Sequence, residues 1–288
     1  MMFINGRLLR YKRGLKRRFH PRAFMYDYHC RKNPDTPLAV TIESGVKARI
    51  WPGDDIGKPI YIGGIFEENE VKFTKSILRP GMVFFDIGAN MGFYSLIGAK
   101  AVGINGRVHC FEPSPRMFGE LQYNVNLNGF KNIRMNRAAL GEKVGTACLS
   151  RHERGKEVYG RIAAIDKAGG DYDEVEVNTL DRYIENAGID KIDLIKIDVE
   201  GAELQVFKGA RKTLSKPNAP IIIFEMEERH ALKFNYTCKE AVDFLRGIGY
   251  KIYSVTDGFM PIEEDFAFNT RITNFAAVKI AHSSIFQD

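Results

Sequence analysis

Ile221-Ile222-Ile223-Phe224 is apolar at every position, and Ile192-Asp193-Leu194-Ile195-Lys196-Ile197 is nearly so. A strand with one wet face alternates apolar and polar residues. A run without that alternation needs cover on both faces, as in a parallel sheet packed between two helical layers. Further strands are expected at 82–87, 107–112 and 132–136, extending to 192–198 and 220–226 around the two runs above. Helical stretches near 92–102, 114–127, 179–187, 202–214 and 237–247 fall between them. This alternation predicts an α/β fold with a doubly wound, mostly parallel sheet. Residues 249–256 and 272–280 read as two more strands with no convincing helix between them, which closes the sheet with an antiparallel last strand. A helix over 66–79 stops at Arg79-Pro80-Gly81. Residues 38–51 alternate around Gly45 and predict a hairpin. The charged, glycine-bearing stretch 151–176 reads as an insertion or rim loop.

The 288 residues suit one large domain with an added segment. We place an N-terminal extension at 1–60, the main domain at 61–281 and a tail at 282–288. Residues 1–22 hold eight Lys/Arg and no acid, while the rest of the chain holds 34 basic and 36 acidic residues. The basicity is therefore a property of the arm. Within it Leu8, Tyr11, Leu15 and Phe19 fall at helical spacing. A basic amphipathic helix of this kind suits an anionic membrane surface; a solvated arm and a nucleic-acid arm are the competing readings. The arm lacks the apolar core of a secretory signal but has the Arg-rich, acid-free look of an organellar presequence. No run of 18 apolar residues is present, so a spanning helix is not expected. Cys30, Cys110, Cys148 and Cys238 show no paired spacing and read as reduced thiols of a cytoplasmic protein, one held peripherally at a membrane if the arm engages.

Val83-Phe84-Phe85-Asp86-Ile87-Gly88-Ala89-Asn90-Met91-Gly92 runs from an apolar strand into a glycine turn. Such a turn at a strand's carboxyl end holds a ligand in open α/β sheets. Gly88 and Gly92 allow positive φ and close backbone approach. A dinucleotide fingerprint needs a glycine where Asn90 stands. A side chain there crowds a pyrophosphate but not the methionine part of S-adenosylmethionine, whose amino or carboxylate group its amide can meet. Asp86 is placed to meet the ammonium. Glu112 ends the next strand, where a carboxylate accepts hydrogen bonds from a ribose diol. That diol belongs to NAD and S-adenosylmethionine alike. Phe93, Tyr94 and Phe111 flank the turn and offer faces for adenine or a sulfonium.

A second constellation is Lys196-Ile197-Asp198-Val199-Glu200-Gly201-Ala202-Glu203. Lys196 and Asp198 project to the same side of a strand, and Glu225 and Glu227 end the next. Together with the glycine turn, Phe111-Glu112-Pro113, Thr179-Leu180-Asp181, Gly64-Ile65-Phe66-Glu67 and Asn274-Phe275-Ala276-Ala277, this order of motifs resembles the FkbM family of S-adenosylmethionine-dependent methyltransferases over residues 60–280. The resemblance implies a Rossmann-like class I methyltransferase fold and O-methylation of a sugar, glycolipid or secondary-metabolite acceptor. It assigns cofactor contacts to Asp86, Gly88, Asn90, Gly92 and Glu112, and it maps an Asp-x-Glu-Gly pair onto Asp198 and Glu200.

Methyl transfer to a hydroxyl needs alignment and a base. Asp198 or Glu200 is the expected proton acceptor, with Lys196 holding the carboxylate or serving as base if its pKa is depressed. His230 is a weaker candidate. No metal site is expected; Mg²⁺ on the carboxylates is admitted but not favoured. An RNA 2′-O-methyltransferase and an NAD-dependent oxidoreductase are the alternatives. The slightly acidic body speaks against nucleic acid as partner, and Asn90 against NAD.

Overall fold

The structure, a computed structural model, describes residues 21–54, 56–150, 162–163, 172–256, 259–268, 274–279 and 281–282. The amphipathic arm expected at Leu8–Phe19, most of the 151–176 stretch and the tail beyond residue 282 lie outside the described residues. The chain divides into two compact units between Phe66 and Glu67.

In the first unit, helix α1 (Pro21–Lys32) precedes an antiparallel hairpin of β1 (Leu38–Thr41) and β2 (Lys47–Ile50), and α2 (Gly57–Gly63) follows. The hairpin turns at Ser44 and Gly45, which both take positive φ, as the expected hairpin at Gly45 requires.

The second unit begins with α3 (Glu68–Ile77), β3 (Val83–Ile87), α4 (Phe93–Val102), β4 (Arg107–Phe111), α5 (Pro115–Asn128) and β5 (Ile133–Asn136). The short β6 (Ala139–Leu140), β7 (Gly145–Ser150), β8 (Ile162–Ala163) and β9 (Tyr172–Asn178) follow, then α6 (Leu180–Ala187) and β10 (Leu194–Ile197). After these come α7 (Glu203–Gly209), α8 (Arg211–Leu214), β11 (Ile221–Glu225), α9 (Glu228–Ala231), α10 (Cys238–Gly247), β12 (Tyr250–Ser254) and β13 (Asn274–Lys279). The main sheet has the order β12-β13-β11-β10-β3-β4-β5. Neighbouring strands from β11 through β5 are parallel, and β13 runs antiparallel to both β11 and β12. The apolar runs are the central strands: all of β10, and β11 up to Phe224, are buried. The expected α/β class with an antiparallel last strand is what the sheet shows. That last strand sits between β11 and β12 rather than at an edge.

Helix boundaries follow local chemistry. Pro115 stands in the first turn of α5, Ser114 caps it by accepting Met117 N–H at 3.3 Å, and Gly129 closes it in the left-handed region. The single helix expected over 202–214 is two, broken at Ala210 (φ −108°, ψ 6°). Gly209 lies so close to the Gly141 carbonyl that a Cβ would come within 1.9 Å of its oxygen. The stretch read as a rim loop also needs correction. Residues 172–178 form β9, which pairs with β7 in a small second sheet. In β7 and β9 Ala147, Leu149 and Val175 are buried, against Val177, among mostly polar residues, so these strands carry little apolar signal. No helix among the described residues is long and apolar enough to cross a membrane.

Candidate active site

In the main sheet, β3 leads outward to β4 and β5 while β10 leads the other way to β11, so the winding reverses between β3 and β10. The carboxyl ends of those two strands form the crevice where such sheets take ligands. Gly88, Asn90 and Gly92 stand at one lip, and Asp198 and Glu200 at the other.

The turn after β3 is tied to its neighbours by backbone. Gly88 and Ala89 donate to the Phe111 carbonyl at 3.0 and 2.9 Å. Gly88 (φ 84°) is required by protein rather than ligand: a Cβ there would lie 1.8 Å from the Asp198 carbonyl oxygen. At Gly92 (φ 93°) a Cβ would lie 2.6 Å from Leu121 Cδ1. Both glycines thus serve packing within the protein, most strictly at Gly88, where the neighbour is backbone; at Gly92 it is the tip of a leucine side chain. Asn90 takes φ 52°. Its side-chain oxygen accepts Met91 N–H at 2.7 Å, so the amide NH₂ is the group it can offer outward.

Glu112 is buried, and each of its oxygens is positioned by a backbone donor: Asn90 N–H at 2.8 Å and Ser114 N–H at 2.9 Å. Burial pushes its pKa up to about 7 against those two donors. A carboxylate oxygen has capacity for more than one hydrogen bond. Glu112 is thus a fixed pair of acceptor oxygens, which the two donating hydroxyls of a ribose diol need, and the residues fit an adenosyl ligand.

Asp86 is placed differently from its expected role. It is 1% exposed, and its carboxylate accepts from Ser95 Oγ at 2.6 Å and from the Ser95 backbone, which fastens the start of α4. Burial raises its pKa to about 6 in spite of Lys196 and Ser95. Phe111 likewise lies in the core, against Phe85 and Tyr183, and Phe93 packs edge-on to Tyr94.

Lys196 is buried between three partners. Its Nζ donates to Asp198 Oδ2 at 2.8 Å and lies 4.4 Å from the centroid of the Tyr94 ring. Asp86 stands directly beside it in the sheet register. Burial lowers the Lys196 pKa, but Asp198, Glu67 and Asp86 more than reverse this and raise it. These partners favour the charged ammonium, the form in which Lys196 holds the Asp198 carboxylate, over a neutral base. Burial likewise raises Asp198, and the charge and hydrogen bond of Lys196 overturn this and hold it below its ordinary value.

The surplus carboxylates respond in the opposite sense. Burial and then Asp198 push Glu200 up to about 9 and Glu225 up to about 10. Glu225 hydrogen-bonds to Asp198, and Glu200 Oε2 lies 2.9 Å from His230 Nδ1. Asp198, Glu200 and Glu225 bring one oxygen each within 4.8 Å of one another and are the described residues able to share a divalent ion. The Lys196 ammonium already supplies a positive charge at Asp198.

Two residues stood in the motifs read from the sequence but were given no role there. Glu203 is buried; its Oε1 accepts Val199 N–H and Gly201 N–H at 3.3 and 3.1 Å, and its Oε2 accepts from Tyr236 Oη at 3.1 Å. It clasps the turn that carries Asp198 and Glu200. Glu67 accepts a hydrogen bond from Tyr94 Oη at 2.8 Å and interacts electrostatically with Lys196 and Asp198. Burial, opposed by Lys196, puts its pKa at about 7. Its only sequence signal was membership of the Gly64–Glu67 motif. Among the described residues six non-glycines take positive φ; Glu67, Asn90 and Glu200 are three of them. Strain of this kind concentrates at functional sites.

The chain is similar in sequence to several methyltransferases. Methyltransferase sdnD of Sordaria araneosa is 28% identical over 152 residues, covering 43% of this chain and 58% of the relative. The 31-O-demethyl-FK506 methyltransferase FkbM of Streptomyces tacrolimicus is 26% identical over 209 residues, covering 62% and 76%. The 2-O-methyltransferase NoeI of Sinorhizobium fredii is 27% identical over 155 residues, covering 48% and 61%. The chain thus spans less than two thirds of the length of two of these three. A crystal structure of methyltransferase FkbM from Methylobacillus flagellatus aligns with a TM-score of 0.43 and 18% identity, over 77% of this chain and 52% of that one. The Methyltransferase FkbM domain matches residues 86–252, from the Asp86 that fastens α4 through the Asp198 turn and into β12. Over more than half its length, then, this chain belongs to the FkbM methyltransferase domain family.

Proposed function

We propose that the chain is an S-adenosylmethionine-dependent O-methyltransferase acting on a hydroxyl of a small or glycan-like acceptor: a sugar, a glycolipid or a secondary metabolite. The observation that carries this reading is the facing pair at the β3/β10 crevice, with the buried Glu112 acceptor on one lip and the Lys196–Asp198 pair ringed by Glu67, Glu200 and Glu225 on the other. The relatives named for 31-O- and 2-O-methylation support an oxygen as the atom methylated.

When bound, S-adenosylmethionine supplies a methyl group on a sulfonium, a good leaving group. The chain's residues have three tasks around it. Glu112 accepts hydrogen bonds from the ribose diol, and the Asn90 NH₂ donates to the carboxylate end. Lys196 and Asp198, locked together at 2.8 Å, orient the acceptor hydroxyl. Glu67 takes the hydroxyl proton. Its pKa of about 7 is matched to a base working near neutrality, whereas Asp198 is held too acidic and Glu200 and Glu225 retain protons. On this reading the base is Glu67 rather than Asp198 or Glu200, the residues expected from the sequence. Residues 1–22 supply a cationic arm for an anionic membrane surface.

Calorimetry with S-adenosylhomocysteine tests the cofactor half, with binding expected for the wild type. Transfer of a labelled methyl to a panel of hydroxylated sugars and lipids tests the acceptor half. Methyl recovered on nitrogen or carbon in place of oxygen would defeat it. Repeating the assay with EDTA and with added Mg²⁺ is expected to leave the rate unchanged, because Lys196 already supplies the cation at Asp198.

A further inference from the structure

The opposite end of the same sheet holds a groove of about 990 Å³. It is lined where three helices return to three strands: α4 into β4, α5 into β5 and α6 toward β10. Each helix closes on a glycine with positive φ, at Gly103, Gly129 and Gly188. Val83 and Arg107 line this groove, while the other ends of their strands, Ile87 and Phe111, lead into the crevice already described. About 13 Å of strand therefore separates the two sites, and whatever the groove holds is not the methyl acceptor.

The lining carries five cations, Lys100, Arg107, Lys131, Arg134 and Lys191, all exposed, and one exposed acid, Asp190. Lys191 is paired with Asp193, and the Arg134 guanidinium lies 5.9 Å from the Tyr183 ring. Lys100, Arg107 and Lys131 have no acidic partner among the described residues. Three helix C-termini bring roughly half a negative charge each, fewer than the cations present. At α4 those carbonyls are already served, because Asn132 Nδ2 donates to Ala99 and Gly103 oxygens at 2.9 Å each. The cations are thus in excess of what the fold consumes, on a body that is otherwise slightly acidic. Beside them stand apolar side chains: Ile104, 90% exposed, with Phe130 and Ile189.

Unpaired cations around an apolar-sided groove of ligand size fit an anion of several charges that carries an apolar group. We propose that this groove is a second binding site, and that it takes a small organic diphosphate or triphosphate whose phosphates meet Lys100, Arg107 and Lys131 while its organic part covers Ile104 and Phe130. The site is independent of the methyl-transfer reading.

Amide NMR on the full chain, saturated with S-adenosylhomocysteine so that the carboxyl-end crevice is blocked, tests it with inorganic pyrophosphate and then geranyl diphosphate. Both are expected to give saturating shifts at Gly103, Gly129 and Gly188, with geranyl diphosphate the tighter. The double variant Lys100→Glu/Lys131→Glu is expected to weaken both by at least about tenfold, the loss of charge-assisted contacts. These side chains are exposed, so the thermal midpoint should not move; Arg107→Gln provides a second variant if it does. Absent shifts, shifts that grow linearly without saturating, or affinities untouched by the charge reversals overturn the proposal. So does sedimentation with phosphatidylglycerol vesicles that is weakened by Lys100→Glu/Lys131→Glu, which leaves residues 1–22 intact, yet is not displaced by pyrophosphate; that result assigns the groove cations to a bilayer.

Discussion

Glu67→Gln keeps an acceptor for Tyr94 Oη and removes the charge. If Glu67 is the base, kcat falls about 10²-fold or more while the KM for S-adenosylmethionine holds. A base must lose its proton to act, so the wild-type rate should climb with pH through about 7; in the variant that limb disappears. An unchanged profile would return the role to the Asp198 turn. Glu112→Ala is expected to cut S-adenosylhomocysteine affinity by at least about tenfold, the worth of hydrogen bonds to a charged acceptor, as read by calorimetry. Gly88→Ala forces a side chain onto the Asp198 carbonyl at positive φ, and urea unfolding should show a loss of about 3 kcal/mol or more. The sequence showed Lys196 and Asp198 because residues two apart on a strand share a face, and Glu112 because it ends a strand beside a glycine turn. It could not show that Glu67 reaches them. That contact depends on α3 packing against α4 to bring Tyr94 under Glu67, a tertiary fact with no local pattern. Nor could it show that Asp86 spends its carboxylate on Ser95.

The central strands were legible because burial on both faces leaves an unbroken apolar run, as in β10 and β11. The small sheet of β6 to β9 was not. In β9, Tyr172-Asp173-Glu174-Val175-Glu176-Val177, one valine is buried and the charges on either side read as loop. The break between α7 and α8 was hidden too, since its cause is the approach of Gly209 to Gly141 from a distant segment. Caps, in contrast, are local. Ser114→Ala should cost about 1 kcal/mol in urea unfolding, and Ser114→Gly only a few tenths. Because Ser114 N–H also holds Glu112, fraying of the α5 start should weaken S-adenosylhomocysteine binding in the alanine variant as well.

Across the whole molecule, acid is gathered at one end of the strands and base at the other, and the acidic end governs stability against pH. Glu200 and Glu225 are raised to about 9 and about 10 from 4.5, and Glu67, Glu112 and Glu203 to about 7. A carboxyl whose folded pKa lies above its unfolded one binds more protons folded than unfolded between the two values. Its contribution is therefore complete below about pH 4.5 and drains away as pH rises. Asp198, shifted the other way, loses its contribution only in strong acid. The thermal midpoint is accordingly expected to decline from pH 5 to pH 9, and Glu225→Gln to flatten that slope and raise the midpoint at pH 9. A midpoint that rises over this range would contradict the burial of these groups. The placement of β13 bears on synthesis as well. Because Asn274–Lys279 wedges between β11 and β12, a nascent chain halted before residue 274 exposes two raw strand flanks, each a template for a neighbouring polypeptide. The ribosome must therefore deliver Asn274–Lys279 before the sheet can seal, and until then the emerging chain depends on whatever shields those flanks from its neighbours.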